Sequence, residues 1–231
     1  MKRTRRAIVL AAGRGERLRP LTDTTPKPLL KVGGRTLIER QIARLVAGGF
    51  TELVVNIEHL GEQVENALGD GSRLGAAIRY SRENPALETA GGIARALPLL
   101  GDEPFAVVSA DIHTAFDYAT LGPIADAIAR DFERHAAHFV LVDNPPWHSG
   151  GDMGLANGRV ARGKPWFTYG NISVFHPASF APLDPNAKLR IFPWAYAMVD
   201  AGRVTGEYFG GDWDNVGTAE QLAALDRRLS A

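Results

Sequence analysis

Cysteine is absent from the 231 residues. Disulfides, thiolate metal sites and thiol nucleophiles are excluded together, although the redox compartment stays open on that count alone. Excess charge of either sign is missing too: 26 Lys and Arg balance 26 Asp and Glu. The chain therefore carries no basic footprint for nucleic acid and no acidic tail. No apolar run reaches the length of a bilayer span. The start, Met1-Lys2-Arg3-Thr4-Arg5-Arg6, is basic like the n-region of a secretion signal, but the apolar stretch at 7–12 is too short for an h-region. Those cations read as a solvated lead-in to a first strand, and a cytoplasmic protein with neither nucleic-acid nor membrane partners is expected. Histidines 59, 113, 135, 138, 148 and 176 lack the paired spacing of a zinc site. Internal repeats, hexapeptide runs and a linker to a second domain are also lacking, so one domain over 1–231 is expected.

What is present has an α/β rhythm. Ala7-Ile8-Val9-Leu10, Leu53-Val54-Val55-Asn56-Ile57 and Phe105-Ala106-Val107-Val108 are apolar runs of the kind that form strands buried on both faces of a parallel sheet. Helical patterns lie between them. Residues 36–47 place Leu37, Ile38, Ile42, Leu45 and Val46 on one face before Gly48-Gly49, and residues 89–97 carry Ile93, Ala94 and Leu97 before Pro98. The order predicts a Rossmann-like, doubly wound, mostly parallel sheet with its cleft at the carboxyl ends of the strands. After residue 138 the rhythm changes. His138-Phe139-Val140-Leu141-Val142, a hairpin about Asn157-Gly158 and a strand at 167–175 predict a β-rich half, followed by helices near 188–201 and 218–229.

Residues 10–28, Leu-Ala-Ala-Gly-Arg-Gly-Glu-Arg-Leu-Arg-Pro-Leu-Thr-Asp-Thr-Thr-Pro-Lys-Pro, set a glycine turn, several cations and a rigid Pro-Lys-Pro segment directly after the first strand. Glycines let backbone N–H groups approach phosphate oxygens, and prolines on either side hold Lys27 in a defined place. Two common phosphate loops do not fit. A dinucleotide fingerprint needs glycine where Leu18 stands, and a Walker loop needs Gly-Lys-Ser/Thr. A planar guanidinium at Arg17 suits the β and γ phosphates of a nucleotide, because it can bond two oxygens at once. Ser109-Ala110-Asp111 puts a carboxylate at the carboxyl end of another strand, inside the expected cleft.

The segment at 10–28 resembles the signature of the sugar-1-phosphate nucleotidyltransferases at nearly every defined position. The resemblance extends through Tyr80-Ser81-Arg82-Glu83, Leu87-Glu88-Thr89-Ala90-Gly91-Gly92 and Trp213-Asp214-Asn215-Val216-Gly217-Thr218. It implies the nucleotide-diphospho-sugar transferase fold, here without a β-helix domain, with a nucleotide-binding half at 1–137 and a sugar-phosphate-binding half at 138–231. It also implies a reaction between a nucleoside triphosphate and a sugar 1-phosphate, with Mg²⁺ as cofactor. The nucleotide would then be held by Ala11, Ala12, Gly13, Gly15, Arg17 and Lys27, with Arg17 and Lys27 also catalytic, and its base end by Glu83, Glu88 and Thr89. Asp111 and Asn215 would bind the metal. Asn215 stands where most of the family has aspartate, so Asp214 is the alternative ligand, on the opposite face of a strand. Lys164 and Asn171 flank the stretch that would take the sugar phosphate.

Within the family the chain is most similar to the branch of bacterial uridylyltransferases acting on N-acetylmuramate α-1-phosphate, which implies UTP as donor and a place in peptidoglycan recycling. Glu83 does not settle the base, since a carboxylate could take the imide of uracil or the paired donors of guanine. Guanylyl transfer to mannose 1-phosphate and thymidylyl transfer to glucose 1-phosphate therefore stay open, as does a non-catalytic nucleotide-sugar sensor. The helix beginning at Thr89 would aim its N-terminus into the cleft, with Thr89 as a plain N-cap of a helix packed on the sheet as the alternative, and Arg162 or Lys164 would be a cation for the lactyl group of muramate.

Overall fold

The computed structural model describes residues 5–230; the lead-in at 1–4 lies outside them. Strand β1 (Arg5–Leu10) opens on two arginines that are not free in solvent, because Arg5 pairs with Asp126 at 2.9 Å and Arg6 with Glu52 at 2.7 Å. The chain then passes the one-turn helix α1 (Leu21–Thr24) and the small ladder β2 (Lys31–Val32) with β3 (Arg35–Thr36). Helix α2 (Leu37–Ala47) starts on a capping box: the Thr36 side chain accepts from the Glu39 N–H at 3.3 Å, and the Glu39 carboxylate accepts the Thr36 N–H at 3.4 Å. Next come β4 (Phe50–Ile57), α3 (Gly61–Leu68), β5 (Ala77–Arg82), α4 (Glu88–Leu100), β6 (Phe105–Ser109), β7 (Ile112–Thr114) and α5 (Leu121–Arg130). Pro98 does not stop α4. It sits in the last turn, where its missing N–H costs one ladder bond, and the Gly101 N–H still reaches the Leu97 carbonyl at 2.9 Å.

The second half contains β8 (Ala137–Val142), β9 (Met153–Ala156), β10 (Arg159–Ala161), β11 (Trp166–Phe175), α6 (Ile191–Trp194), α7 (Tyr196–Asp200), β12 (Val204–Tyr208), β13 (Trp213–Asn215) and α8 (Ala219–Ser230). Asn157 and Gly158 both have positive φ, 51° and 71°, as the tight β9–β10 hairpin requires. The single helix expected near 188–201 is two short pieces. Phe192 is extended (φ −110°, ψ 137°), the conformation favoured before a proline such as Pro193.

The main sheet has the order β5-β4-β1-β6-β11-β8-β12-β10-β9. Its first four strands are parallel, but β11 enters antiparallel to both β6 and β8, and only β12 with β8 is parallel thereafter. The sheet is thus mixed rather than mostly parallel. Short links such as the Asn157-Gly158 turn cannot carry a crossover and so join antiparallel neighbours. Strand β9 also pairs with β11, so that β11-β8-β12-β10-β9 curls into a barrel-like ring.

Helices cover both faces of the parallel strands. Ile38, Ile42 and Leu45 of α2, Val64 of α3 and Ile128 of α5 pack with Val9, Leu53 and Val108, whereas Ile93, Ala94 and Leu100 of α4 pack with Ile8, Val54 and Val107. Burying each large apolar side chain contributes roughly 1.5–3 kcal/mol. A smaller cluster of Leu18, Leu30, Val32, Leu37, Val216 and Leu225 fastens the early loop to the segment before α8.

Candidate active site

Leu10 pairs with Asn56 on one side and Ser109 on the other, so β1, β4 and β6 end side by side at one edge of the sheet. The loops that follow them surround a cavity of about 500 Å³. Ala11, Ala12, Gly13, Gly15, Lys27, Glu83, Glu88, Thr89 and Asp111 all line it. Arg17, Lys164, Asn171 and Asn215 are not among its lining residues.

Gly15 is left-handed (φ 70°), and a Cβ there would press on Lys27 and on Thr22, both at 3.1 Å. Buried Thr22 donates its hydroxyl to the Gly15 carbonyl at 2.9 Å, which fixes the turn from beneath. Lys27 therefore lies along the glycine loop and forms an ion pair with Asp111. Only 13% of the lysine side chain is exposed, so its ammonium is directed at the carboxylate rather than at bulk water.

Asp111 and Asn215 are brought together through the backbone. The β7–β13 ladder sets Asn215 opposite Ile112, and the Val216 N–H donates to the Asp111 carbonyl at 2.9 Å. Asp214 faces elsewhere, bonded to Arg228. Among the described residues no group of three or more His, Asp or Glu side chains converges as a metal cage. One carboxylate and one amide oxygen suit a hard divalent cation that takes its remaining ligands from phosphate and water, so the donor set fits the metal that the family uses.

Two further contacts gather the remaining motif residues. A Cβ on Gly217 would meet the Arg17 guanidinium at 2.8 Å, so this exposed arginine lies over the Val216-Gly217-Thr218 turn. Asn171 has a left-handed backbone (φ 57°) within the irregular register of β11, one residue before Ile172 pairs with Val108. Its neighbour Gly170 accepts the Trp213 indole N–H at 2.9 Å, which ties that irregularity to the strand bearing Asn215. A non-glycine residue in this conformation stores strain of about 1–3 kcal/mol, as is common at functional sites. Lys164 is exposed in the turn before β11, away from the cavity lining.

Glu83 is 5% exposed and has both carboxylate oxygens engaged. Oε1 accepts from Asn56 Nδ2 and Oε2 from the Leu87 N–H, each at 2.7 Å, while Asn56 Oδ1 accepts the Ala11 N–H at 2.7 Å. This buried relay joins the first residue of the glycine loop to the segment that begins α4. Burial pushes the Glu83 carboxyl pKa up, against the lowering effect of those two hydrogen bonds. Thr89 is not an N-cap: α4 starts at Glu88 with positive φ (63°), and the Leu189 carbonyl accepts the Ala90 and Gly91 N–H groups at 2.9 and 3.1 Å.

The chain matches the nucleotidyl transferase family model over residues 6–151, which contain the glycine loop, Lys27, Glu83 and Asp111. It belongs to the nucleotidyl transferase family. Over 94% of its length it is 44% identical to the N-acetylmuramate alpha-1-phosphate uridylyltransferase of Neisseria meningitidis, of which 95% is covered. It is 33% identical to the enzyme of the same name from Caulobacter vibrioides, with 97% of this chain and 96% of that one covered. A Bacillus anthracis protein assigned as a glucose-1-phosphate thymidylyltransferase and solved with sucrose superposes with a TM-score of 0.83 at 21% identity, covering 99% of this chain and 96% of that one. The transferase fold is shared at that distance.

Sequence reasoning missed several residues of the site in this nucleotidyl transferase. Asn56 carried a signal, being the one polar residue inside an apolar run at a strand's carboxyl end. Arg14 and Lys188 also line the cavity. Arg14 stands at a variable position of the signature, and Lys188 is a lone cation in a loop, so neither was marked.

Proposed function

We propose that the chain transfers the UMP group of UTP to N-acetylmuramate α-1-phosphate, releasing pyrophosphate and forming UDP-N-acetylmuramate in peptidoglycan recycling. The observation that carries the reading is the Lys27–Asp111 ion pair on the wall of a cavity built by the glycine loop. The near full-length similarity to two uridylyltransferases supports the choice of donor and acceptor. Residues 1–231 act as one domain, with nucleotide bound by 1–137 and sugar phosphate by 138–231. Among the described residues no helix is long and apolar enough to cross a membrane, and we place the reaction in the cytoplasm.

An oxygen of the acceptor phosphate forms a bond to the α-phosphorus of UTP while the bond to the β-phosphate oxygen breaks. Pyrophosphate leaves with the electron pair. That acceptor oxygen is ionised near neutral pH, so no side chain has to remove a proton. The protein's task is to align two polyanions and offset their repulsion. Ala11, Ala12, Gly13 and Gly15 offer the loop around the phosphates, Arg17 neutralises the β and γ groups, and Lys27 the α-phosphoryl group. Asp111 and Asn215 would hold magnesium, which supplies further charge neutralisation at the phosphates. Glu88, Thr89 and the Glu83 relay form the base end, and Asn171 and Lys164 belong to the acceptor side.

The test crosses N-acetylmuramate, N-acetylglucosamine, mannose and glucose 1-phosphates with each nucleoside triphosphate and follows pyrophosphate release. The highest kcat/KM is expected for UTP with N-acetylmuramate 1-phosphate. Preference for GTP with mannose 1-phosphate, or for dTTP with glucose 1-phosphate, overturns the assignment, and no turnover with any pair points to a sensor.

A further inference from the structure

Three cations line the cavity, and two of them, Arg14 and Lys27, come from the early loop. The third, Lys188, comes from the far end of the chain. Its backbone is pinned on both sides. The Leu189 N–H donates to the Leu87 carbonyl at 2.9 Å, and the Leu189 carbonyl accepts the Ala90 and Gly91 N–H groups at 2.9 and 3.1 Å. The Ala187 carbonyl lies so close to Gly91 that a Cβ there would overlap it. Asn186, one residue earlier, accepts from Arg95 at 2.9 Å. The 186–189 segment is thus built onto the start of α4, and Lys188 lines the cavity from a fixed root.

Its charge is uncompensated. Lys27 pairs with Asp111 and Glu88 with Arg190 at 3.8 Å, whereas Lys188 has no ion-pair partner among the described residues. Arg14 also lines the cavity, but from the glycine loop on the triphosphate side, and the two cations expected for the lactyl group are engaged or remote. Arg162 bonds Asp200 at 3.3 Å and lies 4.7 Å over the Tyr196 ring, and Lys164 is off the cavity wall. This exposed ammonium, without an ion-pair partner among the described residues and rooted on a pinned loop that lines a site for polyanions, is available to an anion of the substrate. Arg17 and Lys27 already answer the triphosphate. We propose that Lys188 is a specificity residue that receives the carboxylate of the acceptor's lactyl ether, an inference that rests on the acceptor named under Proposed function.

Lys188→Met keeps the stem and removes the charge, and the backbone bonds of the 186–189 segment do not involve the side chain. Calorimetric titration of the protein with UTP analogue and magnesium present measures affinity for N-acetylmuramate 1-phosphate and for N-acetylglucosamine 1-phosphate, which differ by the lactyl group. The expected result is a loss of roughly 10- to 100-fold for the muramate compound and no change for the other, with Lys188→Arg retaining most of the affinity, as fits one charge-assisted contact. Equal losses for both acceptors would move the lysine to the phosphate, a loss of affinity for the UTP analogue alone would move it to the nucleotide, and unchanged affinities would leave it in solvent. Each of those results overturns the proposal. The unmutated protein's own acceptor preference tests the functional reading separately.

Discussion

Replacing Asn56 with leucine removes the middle of the buried relay while preserving much of the side-chain volume. The Ala11 N–H loses its acceptor and Glu83 Oε1 loses its donor, at a position that is 4% exposed. A buried donor left unsatisfied costs about 1–3 kcal/mol, and a hydrogen bond to a carboxylate contributes about 1.5–3 kcal/mol. Partial relaxation makes the sum smaller than the two maxima, so a destabilisation of about 2–4 kcal/mol is expected by urea unfolding near neutral pH. The pH dependence has a definite sign. The Glu83 pKa is raised in the fold, so the stability this group contributes is greatest below the ordinary carboxylate value and declines as pH rises through the raised one. Asn56 holds that pKa down, so Asn56→Leu lifts it further, and the deficit of the variant should widen from mildly acid to neutral pH. Because the Ala11 N–H is part of the nucleotide loop, KM for UTP should also rise. A penalty that is flat with pH, or one under about 1 kcal/mol with an unchanged KM, refutes the relay.

Lys27→Ala and Asp111→Ala should each lose about two to four orders of magnitude in kcat with circular dichroism and unfolding midpoints near those of the parent, because neither side chain belongs to the core; near-normal turnover would remove their roles. Asn215→Asp should lower the magnesium concentration that gives half-maximal turnover, whereas Asp214→Asn should leave it unchanged, as its partner is Arg228; the reverse pattern would make Asp214 the ligand. Tyr118→Phe strips the donor from Gln41 Oε1, a buried bond of 2.7 Å that braces α2 behind Ile112, and should cost about 1–3 kcal/mol in denaturant unfolding.

Strands β1, β4 and β6 were legible because they are largely buried and their runs are almost wholly apolar, whereas β5, with Ala77, Arg79 and Arg82 exposed, offered no such run. Residues 36–47 announced their helix through Leu37, Ile38, Ile42, Leu45 and Val46 on one face and the Gly48-Gly49 stop. The glycine loop, Lys27 and Asp111 lie close to strand ends, so local order alone carried them to one cavity. Long-range geometry was harder to read. Nothing in the run at 166–175 says that it enters antiparallel beside β6 and closes a ring with β9, since register between distant strands depends on packing. Glu83 reads as a base-end residue from its motif, but residue type does not say which partners surround it, and only the fold brings Asn56 and Leu87 to its carboxylate. Lys188 had no local pattern at all, and only the docking of its segment on α4 makes it visible. Thr89 failed as a cap because a carbonyl a hundred residues away, at Leu189, takes the N–H groups a local cap would have taken.

The curl of β9 back onto β11 has a consequence for assembly. Among the described residues the main sheet seals one flank on itself and leaves β5 as the strand at its other margin, where the Ile78 N–H is already taken by the Asp70 carbonyl at 2.8 Å. That strand sets Arg79 and Arg82 on exposed positions, a charged margin that discourages an incoming chain from extending the ladder. A chain that extended the main sheet would therefore have to dock against Arg79 and Arg82, at a charge cost that side-chain contacts elsewhere avoid.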